Sequence, residues 1–271
     1  MRTVLVHYHI FKNAGTSFNW ALKKYFGERY AEYDTTDAEG VIRSEKMLQY
    51  LELQPHVQAV SSHQVCFPSP NSSTVRGVPT LFLRHPLGRV KSIYTFQRKQ
   101  DPNVSMGARM ANELDFSAFV EWSLETMPKT IANYQVCFCA GPEMRQAATQ
   151  PGPADLEVAM RNVREAGFVG LVERYDDSLT VAQDRLREYF PELELETNRL
   201  NTTSRPKTTD MVIESLTEEL GEARTEELIE RNRLDVELHA YAAGLLDEHL
   251  SSIRAKAPEQ ETEKPAEQAK P

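Results

Sequence analysis

The hydrophobic and polar positions of the chain predict strands and helices that alternate through its N-terminal third. Residues 3–9 are largely apolar, which is typical of a strand buried on both faces of a sheet. The apolar positions of residues 18–26 recur at helical spacing and predict a helix that packs back on that sheet. The same patterning predicts, in chain order, a helix at Ser44–Leu53, a strand at 57–62, a loop at Phe67–Val78, a strand at 79–84 and a helix from Pro86 to about Lys99.

The rest of the chain is predicted to be mainly helical. The pattern favours a helix capped by Asp115, helices at 129–139, 155–165 and 178–190 with a strand at 168–172 between the last two, and terminal helices that carry Leu234, Leu238, Tyr241, Leu245 and Ile253. Residues 198–209 are polar and rich in hydroxyls, and they predict an ordered loop or a lid. Residues 255–271 lack apolar periodicity, which predicts a disordered tail.

Strands that alternate with helices at these intervals indicate an α/β fold in which helices flank a central, mainly parallel sheet in three layers. A chain of 271 residues with 40% hydrophobic residues can form one sizeable domain. We therefore expect a single domain over residues 1–254, followed by the tail.

Charge and composition narrow the classes of function. The formal net charge of −9 argues against nucleic-acid binding through bulk electrostatics, although the segment 84–99 is locally basic. There is no secretory signal pattern and no apolar run long enough to span a bilayer, so a cytoplasmic protein is expected. Cys66, Cys137 and Cys139 have no framework spacing and are interpreted as buried small hydrophobic residues in a reducing compartment.

The segment His9–Ser17, here called the anion loop, carries the clearest chemical signal. It lies between the first predicted strand and the first predicted helix, and it combines Lys12 with small residues and two hydroxyls. Thr16 or Ser17 is the expected N-cap of the helix. Such a turn directs backbone N–H groups and the positive end of a helix dipole at one point, where a phosphate or sulfate can bind.

Two further polar residues are predicted to lie near the anion loop. His63 and Arg84 each stand at the C-terminal end of a predicted strand, as Lys12 does. Ligands of open parallel sheets bind at that edge. The sequence therefore predicts that the three side chains share one edge of the sheet.

Three segments together resemble the sulfotransferases that use 3′-phosphoadenosine 5′-phosphosulfate (PAPS), in particular the carbohydrate and heparan-type branch. They are the anion loop (HIFKNAGTS), Leu83–Ser92 (LRHPLGRVKS) and Ser61–His63 (SSH). Weaker similarity continues at 170–175, at 200–203 and in the helix at 232–241, so the resemblance covers nearly the whole chain except the tail. Phe11 stands where the family usually has a proline, a difference that bears on the stiffness of the loop.

The resemblance implies a P-loop-like fold and a role for each matching residue. Lys12, with the N–H groups of the loop, would bind the 5′-phosphosulfate and stabilise the leaving phosphate; His63 would be the general base; Arg84 and Ser92 would bind the 3′-phosphate. The cofactor-binding residues are then Lys12, Asn13, Ala14, Gly15, Thr16, Ser17, Arg84 and Ser92, with Arg205 and Lys207 closing from the late loop. PAPS would be the donor and adenosine 3′,5′-bisphosphate (PAP) the product, with no metal.

Several assignments stay open. Glu173 is a reserve base, although pairing with an arginine is the more ordinary expectation, and His7 and His9 are interpreted as structural. Arg89 and Lys91 are expected on a solvated helix face, while Arg98, Lys99 and Arg109 face either an anionic acceptor or solvent.

A nucleotide kinase and a non-catalytic nucleotide-binding relative are the alternatives. The first lacks support because no Gly-Lys-[Ser/Thr] loop ending is present. The branch resembled favours a carbohydrate hydroxyl as acceptor, with lipid, small-metabolite and tyrosine acceptors left open, and the oligomeric state is equally open.

Overall fold

The computed structural model describes residues 1–37, 40–196 and 209–256, and its centre is a sheet of five parallel strands in the order β2-β3-β1-β4-β5. The strands are β1 (Arg2–Tyr8), β2 (Tyr30–Glu32), β3 (Ala59–Ser62), β4 (Val75–Leu83) and β5 (Phe168–Leu171). The predicted α/β fold with helices on a parallel sheet is confirmed.

Helices connect and cover the strands. They are α1 (Gly15–Phe26), α2 (Ser44–Leu53), α3 (Pro86–Gln97), α4 (Met106–Glu113), α5 (Phe116–Thr126), α6 (Pro128–Ile131), α7 (Tyr134–Ala140), α8 (Pro142–Gln146), α9 (Pro153–Glu165), α10 (Tyr175–Leu186), α11 (Thr209–Leu220), α12 (Glu222–Arg231) and α13 (Arg233–Lys256). The predicted bounds of α2 are confirmed, and so is the Asp115 cap of α5, because the Asp115 side chain accepts a hydrogen bond from the Ala118 N–H.

The sheet differs from the prediction in the length of β4 and in the edge strand β2. β4 begins at Val75, so the loop predicted at Phe67–Val78 is shorter, and Pro79 lies inside a strand. Pro79 is in register with Val6 of β1, and β5 pairs only with the residues from Thr80 onward, so the sheet accommodates a residue without an N–H just before the part of β4 that is paired on both sides. β2 was not predicted, because three residues at the sheet edge carry no alternating pattern.

Two helical predictions were wrong in extent. The helix expected at 129–139 is divided into α6 and α7 by Asn133, which has a left-handed backbone (φ 49°) and so cannot continue a helix. The helix expected at 178–190 begins at Tyr175 and ends at Leu186. The last helix, α13, runs through Lys256, two residues past the predicted boundary at 254, and the remainder of the predicted tail lies outside the described residues.

The core lies on both sides of β1. Val4, Leu5, Val6 and Tyr8 are fully buried, because helices cover both faces of the sheet. Phe18 of α1 contacts the rings of Phe82 and Phe168 from β4 and β5, which fixes α1 across the strands. A second apolar cluster lies where α3, α5, α11 and α12 pack together.

The predicted burial of the cysteines is confirmed, since Cys66, Cys137 and Cys139 are free and buried. Burial raises the pKa of all three thiols. None of the helices in the described ranges combines the length and apolar character that crossing a bilayer requires.

Two leucines of α2 test the packing of this helix on the core. Leu51 is 0% exposed and Leu53 is 79% exposed, although they lie within the same turn. Leu51→Ala is expected to lower the free energy of unfolding by about 2–5 kcal/mol, because it removes buried methyl groups and leaves a cavity. Leu53→Ala is the matched control and is expected to change it by less than about 0.5 kcal/mol. Urea denaturation measures both, and equal effects would contradict the packing of α2.

Candidate anion-binding site

The anion loop joins β1 to α1 through two residues in left-handed conformation, Lys12 (φ 67°) and Ala14 (φ 59°). The N–H groups of Ala14, Gly15 and Thr16 have no backbone acceptor among the described residues. The Ser17 N–H, which we expected to join them, donates to the Ala14 carbonyl (3.1 Å). Three consecutive N–H groups at the start of a helix can therefore receive an anion.

The predicted N-cap of α1 was wrong. Ala14 occupies that position instead of Thr16 or Ser17, and no side chain caps the helix. The left-handed turn at Ala14 starts the helix two residues early, and this leaves the first N–H groups of α1 without a side-chain acceptor.

The side chain of Asn13 holds the conformation of the anion loop from the interior of the protein. Its side chain is buried, and its Nδ2 donates to the Phe82 carbonyl (2.9 Å) and to Gln135 Oε1 (2.7 Å). The Asn13 N–H donates to the Ile10 carbonyl (3.1 Å). The Asn13 side chain thus faces the protein interior, and its contribution to the site is to hold the loop conformation.

Gln135 connects the anion loop to the end of β4. Its Oε1 also accepts from the Arg84 N–H (2.9 Å), and its Nε2 donates to the Arg84 carbonyl (2.8 Å). Asp235 of α13 accepts from the N–H groups of Gln135 (3.0 Å) and Val136 (2.8 Å). Burial raises the pKa of Asp235, and these donors oppose that effect. Two strand ends are therefore fixed by helices that lie far away in sequence.

Lys12 and Arg84, here called the cation pair, lie side by side above these strand ends. Arg84 Nη1 donates to the Lys12 carbonyl (3.1 Å), and Lys12 Nζ lies 4.4 Å from the centre of the Phe96 ring. Within the described ranges neither forms a salt bridge, and Arg84 Nε is buried without a hydrogen-bond partner. Burial lowers the pKa of Lys12, and the nearby positive charges of Arg84 and Lys99 lower it further. The Glu173 carboxylate favours the charged form of Arg84 from a distance, but neither cation is held by a carboxylate in the described ranges, which favours an anionic ligand.

Arg89 is not on a solvated helix face as expected, because it is fully buried. Its Nε donates to the Phe11 carbonyl (3.1 Å), its Nη1 donates to the Thr130 carbonyl (2.9 Å), and its guanidinium lies 3.9 Å from the centre of the Tyr134 ring. Burial lowers the pKa of Arg89 to about 10. Arg89 thus holds the backbone of the anion loop at Phe11, the position where the PAPS-dependent sulfotransferases usually have a proline.

Ser92 lies on α3 one turn after Gly88. A Cβ atom built on Gly88 would lie 3.6 Å from Arg84 Nε, so this face of α3 adjoins Arg84. Ser92 is half-buried, and its hydroxyl makes no hydrogen bond within the part of the chain that is described. Because residues four apart share a helix face, Ser92 and Arg84 can contact one ligand.

His63 stands at the C-terminal end of β3 and is exposed. Its Nδ1 lies 2.8 Å from the His9 carbonyl, which can only accept a hydrogen bond, so Nδ1 carries the proton. In the neutral ring Nε2 is therefore a proton acceptor. The backbone is held on both sides, because the His63 N–H donates to Asp34 Oδ1 (2.9 Å) and Arg145 Nη2 donates to the His63 carbonyl (3.1 Å).

Glu173 forms its direct hydrogen bonds with a histidine side chain and a backbone N–H, and it acts on an arginine, Arg84, only from a distance. Its Oε2 lies 3.2 Å from His239 Nε2, and its Oε1 accepts from the His85 N–H (2.9 Å). Burial alone would raise the pKa of Glu173, but His239 and the backbone donors bring it below its ordinary value. These partners tie Glu173 to the backbone next to Arg84, and its carboxylate favours the charged form of Arg84.

The remaining predicted residues divide into three groups. Lys91 lies on the solvated face and pairs with Glu219. Lys99 is close enough to lower the pKa of Lys12. Arg205 and Lys207 lie outside the described residues.

Sequence patterns missed Gln135, Asp235 and Arg145, because each acts on residues more than fifty positions away and stands in no local motif.

Comparison with known proteins identifies a family without identifying an activity. No family model matches the chain. The chain is 30% identical over 247 residues to an uncharacterized protein of Archaeoglobus fulgidus, and the alignment covers 88% of this chain and 94% of the archaeal protein. The chain therefore belongs to the same family as that protein. Because the archaeal protein is uncharacterized, the relationship brings no activity to this chain.

Two glycines test the packing of the anion loop. A Cβ atom on Gly15 would lie 1.9 Å from Cδ2 and Nε2 of the His9 ring, whereas a Cβ on Gly244 would meet nothing within 4 Å. Gly15→Ala is expected to lower the free energy of unfolding by about 1–3 kcal/mol, because the His9 ring must move. Gly244→Ala, in the exposed middle of α13, is expected to raise it by about 0.5–1 kcal/mol. Urea denaturation compares the two, and a neutral Gly15→Ala would contradict the loop geometry.

Proposed function

We propose that this chain is a sulfotransferase that moves the sulfuryl group from PAPS to an acceptor hydroxyl, with a carbohydrate as the favoured acceptor. One observation carries the proposal. The cation pair has no salt-bridged carboxylate within the described ranges and lies at the C-terminal edge of the parallel sheet, where β3 also ends in His63, a histidine whose Nε2 is free to accept a proton. The three segments that resemble PAPS-dependent sulfotransferases supply these residues.

The anion loop is suited to the 5′-phosphosulfate. The free N–H groups of Ala14, Gly15 and Thr16 can bind the non-bridging oxygens, and the helix dipole of α1 favours negative charge there. Lys12 can neutralise the charge that develops on the leaving phosphate oxygen, because its ammonium group is not held by a carboxylate within the described ranges.

Arg84 and Ser92 are suited to the 3′-phosphate, which distinguishes PAPS from ordinary adenine nucleotides. Arg84 has a buried Nε without a partner, and a planar guanidinium can bind a phosphate through two parallel hydrogen bonds. The Ser92 hydroxyl adds a donor from the adjoining face of α3.

His63 is assigned as the general base. As the acceptor oxygen forms its bond to sulfur, its proton passes to His63 Nε2, and the bond between sulfur and the 5′-phosphate oxygen breaks. The products are the sulfated acceptor, PAP and a protonated His63 that returns its proton to solvent. Positioning and charge stabilisation are the main tasks of the protein, as in phosphoryl transfer.

A kinase is the alternative that shares the strand, loop and helix. Its phosphate-binding lysine follows the last glycine of the loop, whereas Lys12 precedes Gly15 here. A kinase that binds a nucleoside triphosphate also needs no second phosphate site of the kind proposed for Arg84 and Ser92.

Ligand-dependent thermal stability separates these functions. PAP is expected to raise the melting temperature without added metal, because at a hundred times its dissociation constant a ligand adds about 2.7 kcal/mol to the free energy of unfolding. ADP is expected to stabilise less, since it lacks the 3′-phosphate. Stabilisation by Mg·ATP and not by PAP would contradict the proposal and favour the kinase.

Replacement of the base separates a catalyst from a nucleotide-binding relative. His63→Ala is expected to lower the transfer of labelled sulfate from PAPS to a panel of glycans and small alcohols by about 100-fold or more, because it removes the proton acceptor. Binding of PAP is expected to persist. His56→Ala, an exposed histidine before the opposite end of β3, is the control and should retain the wild-type rate. A near-normal rate in His63→Ala would remove His63 from the mechanism.

A further inference from the structure

Three histidine rings form a row that ends at the candidate base. The His7 and His9 ring centres are 5.2 Å apart with 19° between their planes, and those of His9 and His63 are 3.8 Å apart with 29° between them. Interpretation of His7 and His9 as merely structural does not account for the position of His9, which contacts both His63 and Gly15.

Asn19 of α1 determines which nitrogen of His9 carries the proton. Asn19 Oδ1 lies 2.7 Å from His7 Nδ1, so His7 donates there. The amide Nδ2 of Asn19 lies 3.3 Å from His9 Nδ1 and can only donate, so His9 Nδ1 must accept. The proton of His9 is therefore on Nε2.

His9 is neutral, which makes this tautomer the relevant form. Burial lowers its pKa to about 2, and the neighbouring groups His7, His63 and Lys12 act in the same direction. Burial likewise lowers the pKa of His7, to about 3. The ring of His9 therefore presents a hydrogen-bond donor at Nε2 and does not compete with His63 as a base.

The Nε2 edge of His9 lies directly over Gly15. A Cβ atom there would be 1.9 Å from both Nε2 and Cδ2, so only glycine leaves room for the ring. Within the described residues Nε2 makes no hydrogen bond, and it is not among the side-chain atoms that are sealed from solvent without a partner. An open N–H donor thus stands beside the free N–H groups of Gly15 and Thr16.

We infer that His9 is a further catalytic residue, which donates a hydrogen bond from Nε2 to a non-bridging oxygen of the transferred sulfuryl group. This inference rests on the proposed sulfotransferase function. The proposed function assigns the acceptor to His63 and the leaving phosphate to the loop at Gly15, and His9 contacts both of these residues. In that arrangement the transferred group would lie next to the Nε2 edge of His9.

The role of His9 requires no proton transfer. The acceptor oxygen loses its proton to His63 Nε2 as the bond to sulfur forms, and PAP leaves with the electrons of the broken sulfur–oxygen bond. The His9 Nε2–H remains bonded throughout and stabilises the negative charge on the sulfuryl oxygens. Asn19 is a positioning residue, since it acts only by fixing the His9 tautomer.

A first experiment tests the donor without relying on catalysis. Imidazole ¹⁵N NMR of the wild-type protein is expected to show His9 protonated on Nε2, and inorganic sulfate is expected to shift that signal where chloride at equal ionic strength does not. Asn19→Asp offers only acceptors and should move the proton to Nδ1, while Asn71→Asp at an exposed site should not. Protonation on Nδ1 in the wild type, or no response to sulfate, would overturn the inference.

A second experiment separates His9 from binding of the nucleotide. His9→Phe keeps a ring against His63 but removes the hydrogen-bond donor, and it is expected to lower kcat by about 100-fold. The dissociation constant of PAP is expected to change by less than about threefold, because PAP lacks the sulfuryl group that His9 would contact. His9→Gln retains an N–H donor and should recover part of kcat. A normal kcat in His9→Phe, or an equal loss of PAP affinity, would overturn the inference.

These experiments distinguish failure of the inference about His9 from failure of the proposed sulfotransferase function. If the wild-type protein neither binds PAP nor transfers sulfate, the sulfotransferase proposal fails, and the sulfate titration still decides whether His9 is an anion donor.

Discussion

The buried hydrogen bonds of Gln135 are the interactions on which the candidate site depends. One amide side chain binds Asn13 below the anion loop and both backbone groups of Arg84 at the end of β4. Asp235 holds the backbone of Gln135 in turn. Each buried polar group that loses its partner costs about 1–3 kcal/mol, so the network strongly favours one arrangement of the two strand ends. The backbone at Asn13 and Arg84, from which the cation pair extends, is therefore held in one arrangement before any ligand binds.

The electrostatics of the site follow from the same arrangement. Arg84 lies close enough to Lys12 and to Arg89 to act on both electrostatically, although the chain has a formal net charge of −9. Burial lowers the pKa of each of them, which means that the protein interior disfavours their charge. Backbone carbonyls of Lys12, Phe11 and Thr130 accept hydrogen bonds from the two arginines, and the carboxylates of Glu173 and Asp235 oppose the effect of burial on Arg84 and Arg89. Under the proposed function, a bound dianion would add further negative charge beside these cations.

Much of the fold could be predicted from local patterns, and the site only in outline. The α/β class and the helix α2 followed from periodicity, because their apolar residues face one core. The division of α6 from α7 could not be predicted, since it depends on the left-handed Asn133, whose N–H pairs with Asn232 ninety-nine residues away. The burial of Arg89 was missed for a similar reason. Its partners Phe11 and Thr130 become neighbours only after folding, so a basic residue on a helix resembled a surface residue.

The central claim is that the site binds a nucleotide with phosphates at both the 5′ and 3′ positions. The most direct measurement is calorimetric titration, without added metal, of PAP and of adenosine 5′-monophosphate, which differ by the 3′-phosphate alone. Charge-assisted hydrogen bonds from Arg84 and Ser92 should make PAP bind at least about 100-fold more tightly, or about 2.7 kcal/mol. Equal dissociation constants for the two nucleotides would contradict the assignment of Arg84 and Ser92 and, with it, the proposed donor.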